Sequence, residues 1–195
     1  MKLKNIYYLL RHGQTNCHVK TPDFLYPKWL AVGPDIRLTD KGKDQIKKSV
    51  KELKNKKISF IYSSDFFRTR QSAKIASDLL KTKVHFDKRL RDVNLGTYHG
   101  KKKEEFYRDF PLNDIKKRFS KKPPKGESWI ELRKRVRSFI GDMEKKYEDK
   151  NILVVSHGDT LWMMNGMIRN KTDKEMIKET INKEYIKVGE LKKAN

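Results

Sequence analysis

The stretch IYYLLRHG at residues 6–13 decides the fold, together with ILVVSHG at residues 152–158. Each begins with a short, wholly apolar run and ends in a histidine–glycine pair. Such a run is typical of a strand that is buried on both faces, as in the middle of a parallel sheet. Open α/β sheets bind ligands just past the carboxyl ends of their strands. Arg11, His12 and His157 at that edge predict a positively charged site for an anion, which we expect to be phosphate.

Strand-like and helical patterns alternate along the rest of the chain. The Thr39-Asp40 pair is a helix start signal, and apolar residues within 129–147 recur at spacings of three and four, as on one face of a helix. This alternation predicts an α/β fold in which helices cover both faces of a mostly parallel sheet. Strands are predicted over residues 6–10, 58–62, 84–86, 152–156 and 185–191, and helices over residues 41–54, 66–80 and 129–147.

The length and composition of the chain limit the classes of protein to which it can belong. With 195 residues the chain can form one domain with a substantial core, so we predict a single domain over residues 1–195. The single cysteine, Cys17, excludes an intramolecular disulfide. The sequence shows neither a signal peptide nor a run of about 18 apolar residues that would span a bilayer. We therefore expect a soluble cytoplasmic protein with no membrane partner.

The net charge is strongly positive, because 47 lysine and arginine residues oppose 25 aspartate and glutamate residues, a formal charge of +22. Such an excess favours anionic partners. The lysines are spread over most of the chain, however, and the densest basic stretches lack the regular aromatic spacing of a groove for single-stranded nucleic acid. We interpret most of the charge as a solvated surface and expect no nucleic-acid partner.

Six short segments in a defined order carry the residues suited to chemistry. They are LRHGQT (10–15), LTDKG (38–42), YSSDFFRTRQSA (62–73), RLRD (89–92) before Gly96 and Gly100, GES (126–128) before Arg135, and SHGD (156–159). This ordered set resembles the histidine phosphatase superfamily, in its phosphoglycerate mutase-like branch, over nearly the whole chain. The resemblance implies a three-layer αβα sandwich with a mostly parallel central sheet and a phosphohistidine intermediate. It also implies that no metal ion and no organic cofactor is needed.

The resemblance assigns roles to two histidines and two arginines. His12 matches the nucleophile that takes the phosphoryl group, and covalent attack splits one difficult displacement into two easier steps. His157 matches the second histidine, which donates to phosphoryl oxygens as charge redistributes in the transition state. Arg11 and Arg68 match the phosphate-binding arginines, whose forked donors fit phosphate oxygens. Arg70 is the alternative to Arg68, but the family spacing favours Arg68.

The leaving alkoxide needs a proton, and Asp92 is the predicted acid. It matches a position where this branch usually carries glutamate, and the alternative is that it only pairs with Arg91 or caps a turn. Asp159 is a rival acid, because a more distant branch places an aspartate close after its second histidine. Glu127, in the GES segment, is expected to be a supporting carboxylate paired with basic groups.

Further contacts to phosphate are expected from the first motif. Gln14 and Thr15 match the usual pattern and would offer side-chain or backbone donors. His18 stands where the family typically has an asparagine that contacts phosphate, and it has one hydrogen bond to donate. Residues 21–34 form an aromatic-containing stretch that either faces the substrate or packs onto the core.

Three functions fit these motifs. The first is a phosphomonoesterase that acts on a small phosphorylated metabolite. The second is a phosphoglycerate mutase, but mutases of this branch carry a large segment between the acid motif and the GES segment. Only residues 101–125 fill that gap, and a more open site favours attack by water. The third is a phosphoprotein phosphatase or a non-catalytic phosphate-binding module, and the retention of Arg11, His12, Arg68 and His157 argues against a dead site.

Overall fold

The computed structural model describes residues 3–19, 36–111, 114, 119–182 and 184–195. The aromatic stretch at residues 21–34 lies outside them. The strands are β1 (Ile6–Arg11), β2 (Ile58–Ser63), β3 (Val84–Phe86), β4 (Asn151–Ser156) and β5 (Leu191–Lys193), and the α-helices are α1 (Asp40–Lys51), α2 (Phe67–Leu80), α3 (Lys103–Asp109), α4 (Trp129–Lys146), α5 (Gly158–Ile168) and α6 (Asp173–Ile181).

These strands form one sheet in the order β3-β2-β4-β1-β5. The first four strands along the chain run parallel, and β5 is antiparallel beside β1, so the predicted mostly parallel sheet is confirmed. β1 and β4 are neighbours, and their last residues, Arg11 and Ser156, are paired in register. The next residue of each strand, His12 and His157, therefore leaves the sheet at adjacent points of its carboxyl edge.

Apolar clusters cover both faces of the sheet, which explains the wholly apolar run in β1. Side chains at successive positions of a strand point to opposite faces. Tyr7 and Leu9 pack with residues of α4 and α5 in one cluster. Tyr8 and Leu10 pack with residues of α1 and α2 in the other. The three-layer αβα sandwich that the family resemblance implies is confirmed.

Side-chain hydrogen bonds cap the N-termini of two helices, α1 and α4. Thr39 Oγ1 accepts the N–H of Gly42 at 3.0 Å at the start of α1, as the start signal in the sequence predicts. Thr39 also donates its N–H to the carbonyl oxygen of Gln14 at 2.9 Å, so α1 begins beside the loop that follows β1. Ser128 and Glu131 form a reciprocal capping box at the start of α4.

The last strand lies elsewhere than predicted. The prediction over residues 185–191 is wrong, because the strand is Leu191–Lys193. The residues before it run past the end of β1: Gly189, at φ +75°, donates its N–H to the carbonyl oxygen of His12 at 3.0 Å. Ile186 accepts a hydrogen bond from the Arg11 side chain at 3.0 Å. Over most of the predicted range, the chain therefore makes hydrogen bonds to Arg11 and His12 instead of pairing as a strand.

The sequence pattern did not indicate α3, α5 or α6. α5 is buried at every position over residues 160–166, so its apolar residues form no single stripe. Within the described ranges, no helix has the length and hydropathy needed to cross a lipid bilayer.

Candidate active site

His12 lies at the carboxyl end of β1, and a backbone contact sets the orientation of its ring. The residue is 4% exposed, and Nδ1 lies 2.9 Å from the carbonyl oxygen of Gly13. Because a carbonyl oxygen only accepts hydrogen bonds, Nδ1 carries the proton, and Nε2 of the neutral ring carries the lone pair. The nitrogen available for attack is therefore Nε2.

His157 follows β4 and stands next to His12. The two ring centroids are 5.3 Å apart. His157 is fully buried, and its Nε2 lies 2.9 Å from Oγ of Ser64. Among the described residues, Nδ1 has no hydrogen-bond partner, and the nearest carboxylate oxygen, Oδ2 of Asp92, is 3.7 Å away. Nδ1 of His157 therefore faces Asp92, the predicted acid.

Arg11, the last residue of β1, lies across the start of α5. Its Nη1 donates to the carbonyl oxygen of Ile186 at 3.0 Å, whereas its buried Nε has no partner in the described part of the chain. A Cβ at Gly158 would approach Cζ of Arg11 to 3.1 Å, so glycine at this position leaves room for the guanidinium. The arrangement places a cation at a helix N-terminus, and both features favour a bound anion.

Arg68 reaches the site, whereas Arg70 does not. Arg68 lies in the first turn of α2, is 4% exposed, and has Nη2 at 3.4 Å from Oδ2 of Asp92. Its guanidinium stands over the ring of Phe66, with Cζ 5.0 Å from the centroid. Arg70 is exposed and stands over the ring of Phe86 instead. The position of Arg68 therefore agrees with the spacing argument.

The surroundings of the two histidines keep both rings neutral. Burial, then the charges of Arg68 and Arg11, hold the pKa of His12 well below its usual range. Burial, Arg68 and His12 hold the pKa of His157 well below its usual range in the same way. A neutral His12 keeps its lone pair available for attack, and the two arginines supply the positive charge that a phosphate dianion would balance.

Arg135 holds the loop that carries Asp92. It donates to the carbonyl oxygens of Arg89, Arg91 and Asp92 at 2.5, 2.8 and 2.7 Å. Glu127 pairs with Arg135 at 2.6 Å, which is the supporting role expected of this carboxylate. The Glu127–Arg135 pair thus fixes the backbone of the loop that carries Asp92.

Asp92 turns one carboxylate oxygen toward the histidines. Oδ1 accepts the N–H of Val93 at 3.1 Å, and Oδ2 is the oxygen near Arg68 and His157. Oδ2 is thus the oxygen that lies near both Arg68 and His157, and its role as a general acid stays a prediction.

The sequence analysis raised two alternatives for this motif: a pair between Asp92 and Arg91, and Asp159 as the acid. Arg91 forms a two-pronged pair with Asp65, at 2.7 and 2.6 Å, and not with Asp92. Asp159, the rival acid, lies in the first turn of α5 and is partly exposed. The Asp92 carboxylate contacts Arg68, the predicted phosphate-binding arginine.

Gln14 and Thr15 are largely engaged within their own loop. Gln14 accepts from Thr39 Oγ1 at its Oε1, at 2.9 Å, and donates its N–H to Oε1 of Gln45, at 2.9 Å. Thr15 is fully buried, and its N–H and Oγ1 lie 3.1 and 2.7 Å from Nδ1 of His18. The backbone N–H groups of both residues have partners within the protein, so a backbone contact with phosphate would have to share these hydrogen bonds and stays a prediction. A contact from Nε2 of Gln14 stays a prediction.

His18 lies near His12, the predicted nucleophile. Its ring centroid is 5.6 Å from that of His12. Because Nδ1 of His18 accepts the N–H of Thr15, a neutral His18 carries its proton on Nε2. Its contact with phosphate stays a prediction.

The family model of the histidine phosphatase superfamily (branch 1) matches residues 7–188. The chain belongs to this superfamily. "Putative phosphoserine phosphatase 2" of Hydrogenobacter thermophilus is 35% identical over 157 residues, which cover 79% of this chain and 73% of the relative. "Probable phosphoglycerate mutase GpmB" of Enterobacter sp. strain 638 is 30% identical over 160 residues, which cover 79% of this chain and 70% of the relative.

Solved structures show the same fold. The alpha-ribazole phosphatase of Shigella flexneri superposes with a TM-score of 0.75 over 95% of this chain and 88% of that chain, at 20% identity. The family that the motifs predict is therefore confirmed by both sequence and fold.

Two residues of this histidine phosphatase site received no role from the sequence analysis. The ring of Phe66 packs edge-on against His157 at 5.3 Å, and the guanidinium groups of Arg68 and Arg91 stand over its face at 5.0 and 5.5 Å. Ser64 contacts His157 directly. Both residues follow β2 closely, and the rule that ligands bind past the carboxyl ends of strands would have indicated them.

In the part of the chain that the structure describes, no three histidine, cysteine, aspartate or glutamate side chains are grouped so that they could hold a metal ion.

Proposed function

We propose that this histidine phosphatase is a phosphomonoesterase that hydrolyses a small phosphorylated metabolite through a phosphohistidine on His12. One observation carries the proposal: two buried nitrogen atoms, Nε of Arg11 and Nδ1 of His157, have no hydrogen-bond partner among the described residues. Buried polar groups are nearly always paired, because an unpaired one costs about 1–3 kcal/mol. The oxygens of a phosphate would pair both nitrogen atoms beside the lone pair of His12.

In the first step, the lone pair on Nε2 of His12 attacks phosphorus. A P–N bond forms as the bond between phosphorus and the ester oxygen breaks, and the electron pair of that bond leaves with the oxygen. Protonated Asp92 gives its proton to this oxygen, so that an alcohol departs. Arg11, Arg68 and His157 donate to the phosphoryl oxygens that do not react.

In the second step, water attacks the phosphohistidine. Asp92, now a carboxylate, takes a proton from the water as the new P–O bond forms and the P–N bond breaks. The electron pair returns to Nε2 of His12, and inorganic phosphate departs. The low pKa of His12 supports this cycle, because the regenerated ring stays neutral and ready to attack again.

Transfer to a second bound hydroxyl group is the competing fate of the phosphohistidine, and it defines a mutase. The names of the relatives include both kinds of enzyme. The short segment at residues 101–125 favours a more open site, and an open site favours attack by water. Hydrolysis is therefore the reaction that we propose.

A phosphate-release assay over a panel of small phosphomonoesters tests the proposal. Wild-type protein should release phosphate from at least one class of sugar, amino-acid or cofactor-precursor phosphate, whereas His12→Ala should release none. A parallel assay with phosphoglycerate and a bisphosphoglycerate primer measures mutase activity. Isomerisation faster than phosphate release would replace the hydrolase with a mutase, and release by His12→Ala would exclude His12 as the nucleophile.

A further inference from the structure

We propose that Ser64 is a positioning residue, which holds His157 in the tautomer whose proton lies on Nδ1 and points at the phosphoryl site. The inference rests on the proposed function, because this donor matters to catalysis only if a phosphoryl group binds beside it. Ser64 follows the last residue of β2, and its N–H donates to the carbonyl oxygen of Val155 at 3.1 Å. Its backbone is thus tied to the strand that carries His157.

The hydroxyl group of Ser64 contacts His157 in the protein interior. Both residues are fully buried, and Oγ lies 2.9 Å from Nε2. The N–H of Phe66 donates to the same hydroxyl oxygen at 3.4 Å. Oγ has these two contacts among the described residues, and the Phe66 N–H is itself a donor. The hydroxyl hydrogen of Ser64 therefore has one acceptor within reach, Nε2 of His157.

The tautomer with its proton on Nε2 is disfavoured by the surroundings of both ring nitrogens. With its proton on Nε2, His157 would donate to Ser64, and the hydroxyl hydrogen of Ser64 would be buried without an acceptor. The lone pair on Nδ1 would then face Oδ2 of Asp92, which lies 3.7 Å away, and the oxygens of a bound phosphoryl group. With Ser64 as the donor, Nδ1 presents an N–H to those oxygens instead.

The tautomer matters because the His157 ring carries a single proton. Burial, then the charge of Arg68, holds the pKa of His157 well below its usual range, so the ring is neutral. A neutral imidazole donates from one nitrogen only. Loss of one preorganised donor to transition-state charge typically lowers kcat by about 10²–10³-fold. Ser64→Ala keeps the His157 donor and only makes both tautomers accessible, so we expect a smaller loss of about 10-fold, as for one net hydrogen bond.

Ser64→Ala and Ser63→Ala form a matched pair of variants. Ser63 is equally buried, and its hydroxyl donates to the carbonyl oxygen of Ser64 at 2.8 Å rather than to His157. We expect Ser64→Ala to lower kcat by about 10-fold with little change in KM. Ser63→Ala should retain most of the wild-type kcat. A Ser64→Ala variant with the kcat of Ser63→Ala would overturn the proposal.

The ring nitrogen chemical shifts of His157 report the tautomer without any assay of activity. In protein labelled with nitrogen-15 histidine, the signals of His157 are assigned by their loss in His157→Gln. Wild type and Ser63→Ala should show a protonated Nδ1 and an unprotonated Nε2, and Ser64→Ala should show a mixture or the reverse. A wild-type protein with the proton on Nε2 would overturn the proposal even if Ser64→Ala failed to fold.

The two proposals fail in different experiments. If wild-type protein releases no phosphate from the panel, the phosphomonoesterase fails, and the nitrogen chemical shifts still decide the tautomer. If wild-type protein is active and Ser64→Ala keeps both its kcat and the wild-type tautomer, the role of Ser64 alone fails.

Discussion

Oδ2 of Asp92 lies 3.4 Å from Nη2 of Arg68, so the predicted acid and the predicted phosphate-binding arginine contact each other. The Arg68 side chain is 5% exposed and that of Asp92 is 30% exposed, so the carboxylate is the partner that solvent and substrate reach more easily. A phosphate dianion competes with this carboxylate for the guanidinium.

Asp92→Asn should separate esters by their leaving groups. Alkyl phosphates need a proton on the departing oxygen, and general acid catalysis contributes about 10²–10⁴-fold, so their hydrolysis should slow by a factor in that range. Nitrophenyl phosphate should slow far less, because nitrophenolate departs without a proton. Steady-state rates on the two kinds of ester measure the contrast.

Asp159→Asn is the matched control for this test. It should cause a smaller loss that is the same on both kinds of ester. A leaving-group contrast at Asp159 would transfer the role of acid to that residue. Equal losses on both esters at Asp92 would mean that Asp92 only organises the loop.

His12 should become phosphorylated during turnover. Because phosphohistidine is labile in acid, a phosphoryl label trapped on the protein should be lost in acid and survive in base. His12→Ala should carry no label and have no turnover, while its thermal unfolding stays cooperative. A label that survives acid and is lost in base would indicate a carboxylate or hydroxyl nucleophile instead.

Arg68→Lys should weaken catalysis, whereas Arg70→Lys should not. A lysine at position 68 keeps the charge but loses the forked donor geometry, and a hydrogen bond to a charged group contributes about 1.5–3 kcal/mol. We therefore expect kcat/KM to fall by about 10- to 100-fold for Arg68→Lys. Arg70 lies on the exposed side of α2 against Phe86 and serves as the control. Similar losses in both variants would contradict the assignment of Arg68.

Acid should destabilise the fold through the two site histidines. Burial is the main cause that holds the pKa values of His12 and His157 well below 6.5, so in mild acid the unfolded chain binds protons that the native state does not. As the pH falls below 6.5, the free energy of unfolding should therefore fall, by up to about 1.4 kcal/mol per pH unit for each histidine.

Denaturant unfolding on both sides of this pH measures the effect. The double variant His12→Gln/His157→Gln should lose much of the wild-type dependence, because glutamine does not titrate. An equal pH dependence in the double variant and in wild type would exclude the two histidines as its source.

Phosphatase activity should be independent of added metal ions. Arg11 and Arg68 supply fixed positive charge, and both lower the pKa of His12, so they lie near enough to act on a phosphoryl group there. Prolonged treatment with a chelator should leave kcat unchanged. A loss of activity that zinc or magnesium restores would contradict this prediction.

The sequence was most informative where burial leaves a local pattern. The apolar runs of β1 and β4 are continuous because helices cover both faces of the sheet. The start of α1 was visible in Thr39, because its side chain caps the helix locally. By contrast, α5 was missed because a helix buried on most sides has no amphipathic stripe. The path of the chain before β5 was missed because it depends on hydrogen bonds to residues distant in sequence, such as that from Arg11 to Ile186.

The sequence by itself determined that His12 and His157 each follow a buried strand and that Arg68 lies in the first turn of a helix, since these placements depend on short runs of residues. Only the tertiary structure decided that β4 lies beside β1, which brings the two rings to 5.3 Å. It also decided that Asp65 pairs with Arg91 and that Ser64 meets Nε2 of His157. The physical reason is that strand order and side-chain pairing minimise buried, unpaired polar groups over the whole domain, and no short segment contains both partners.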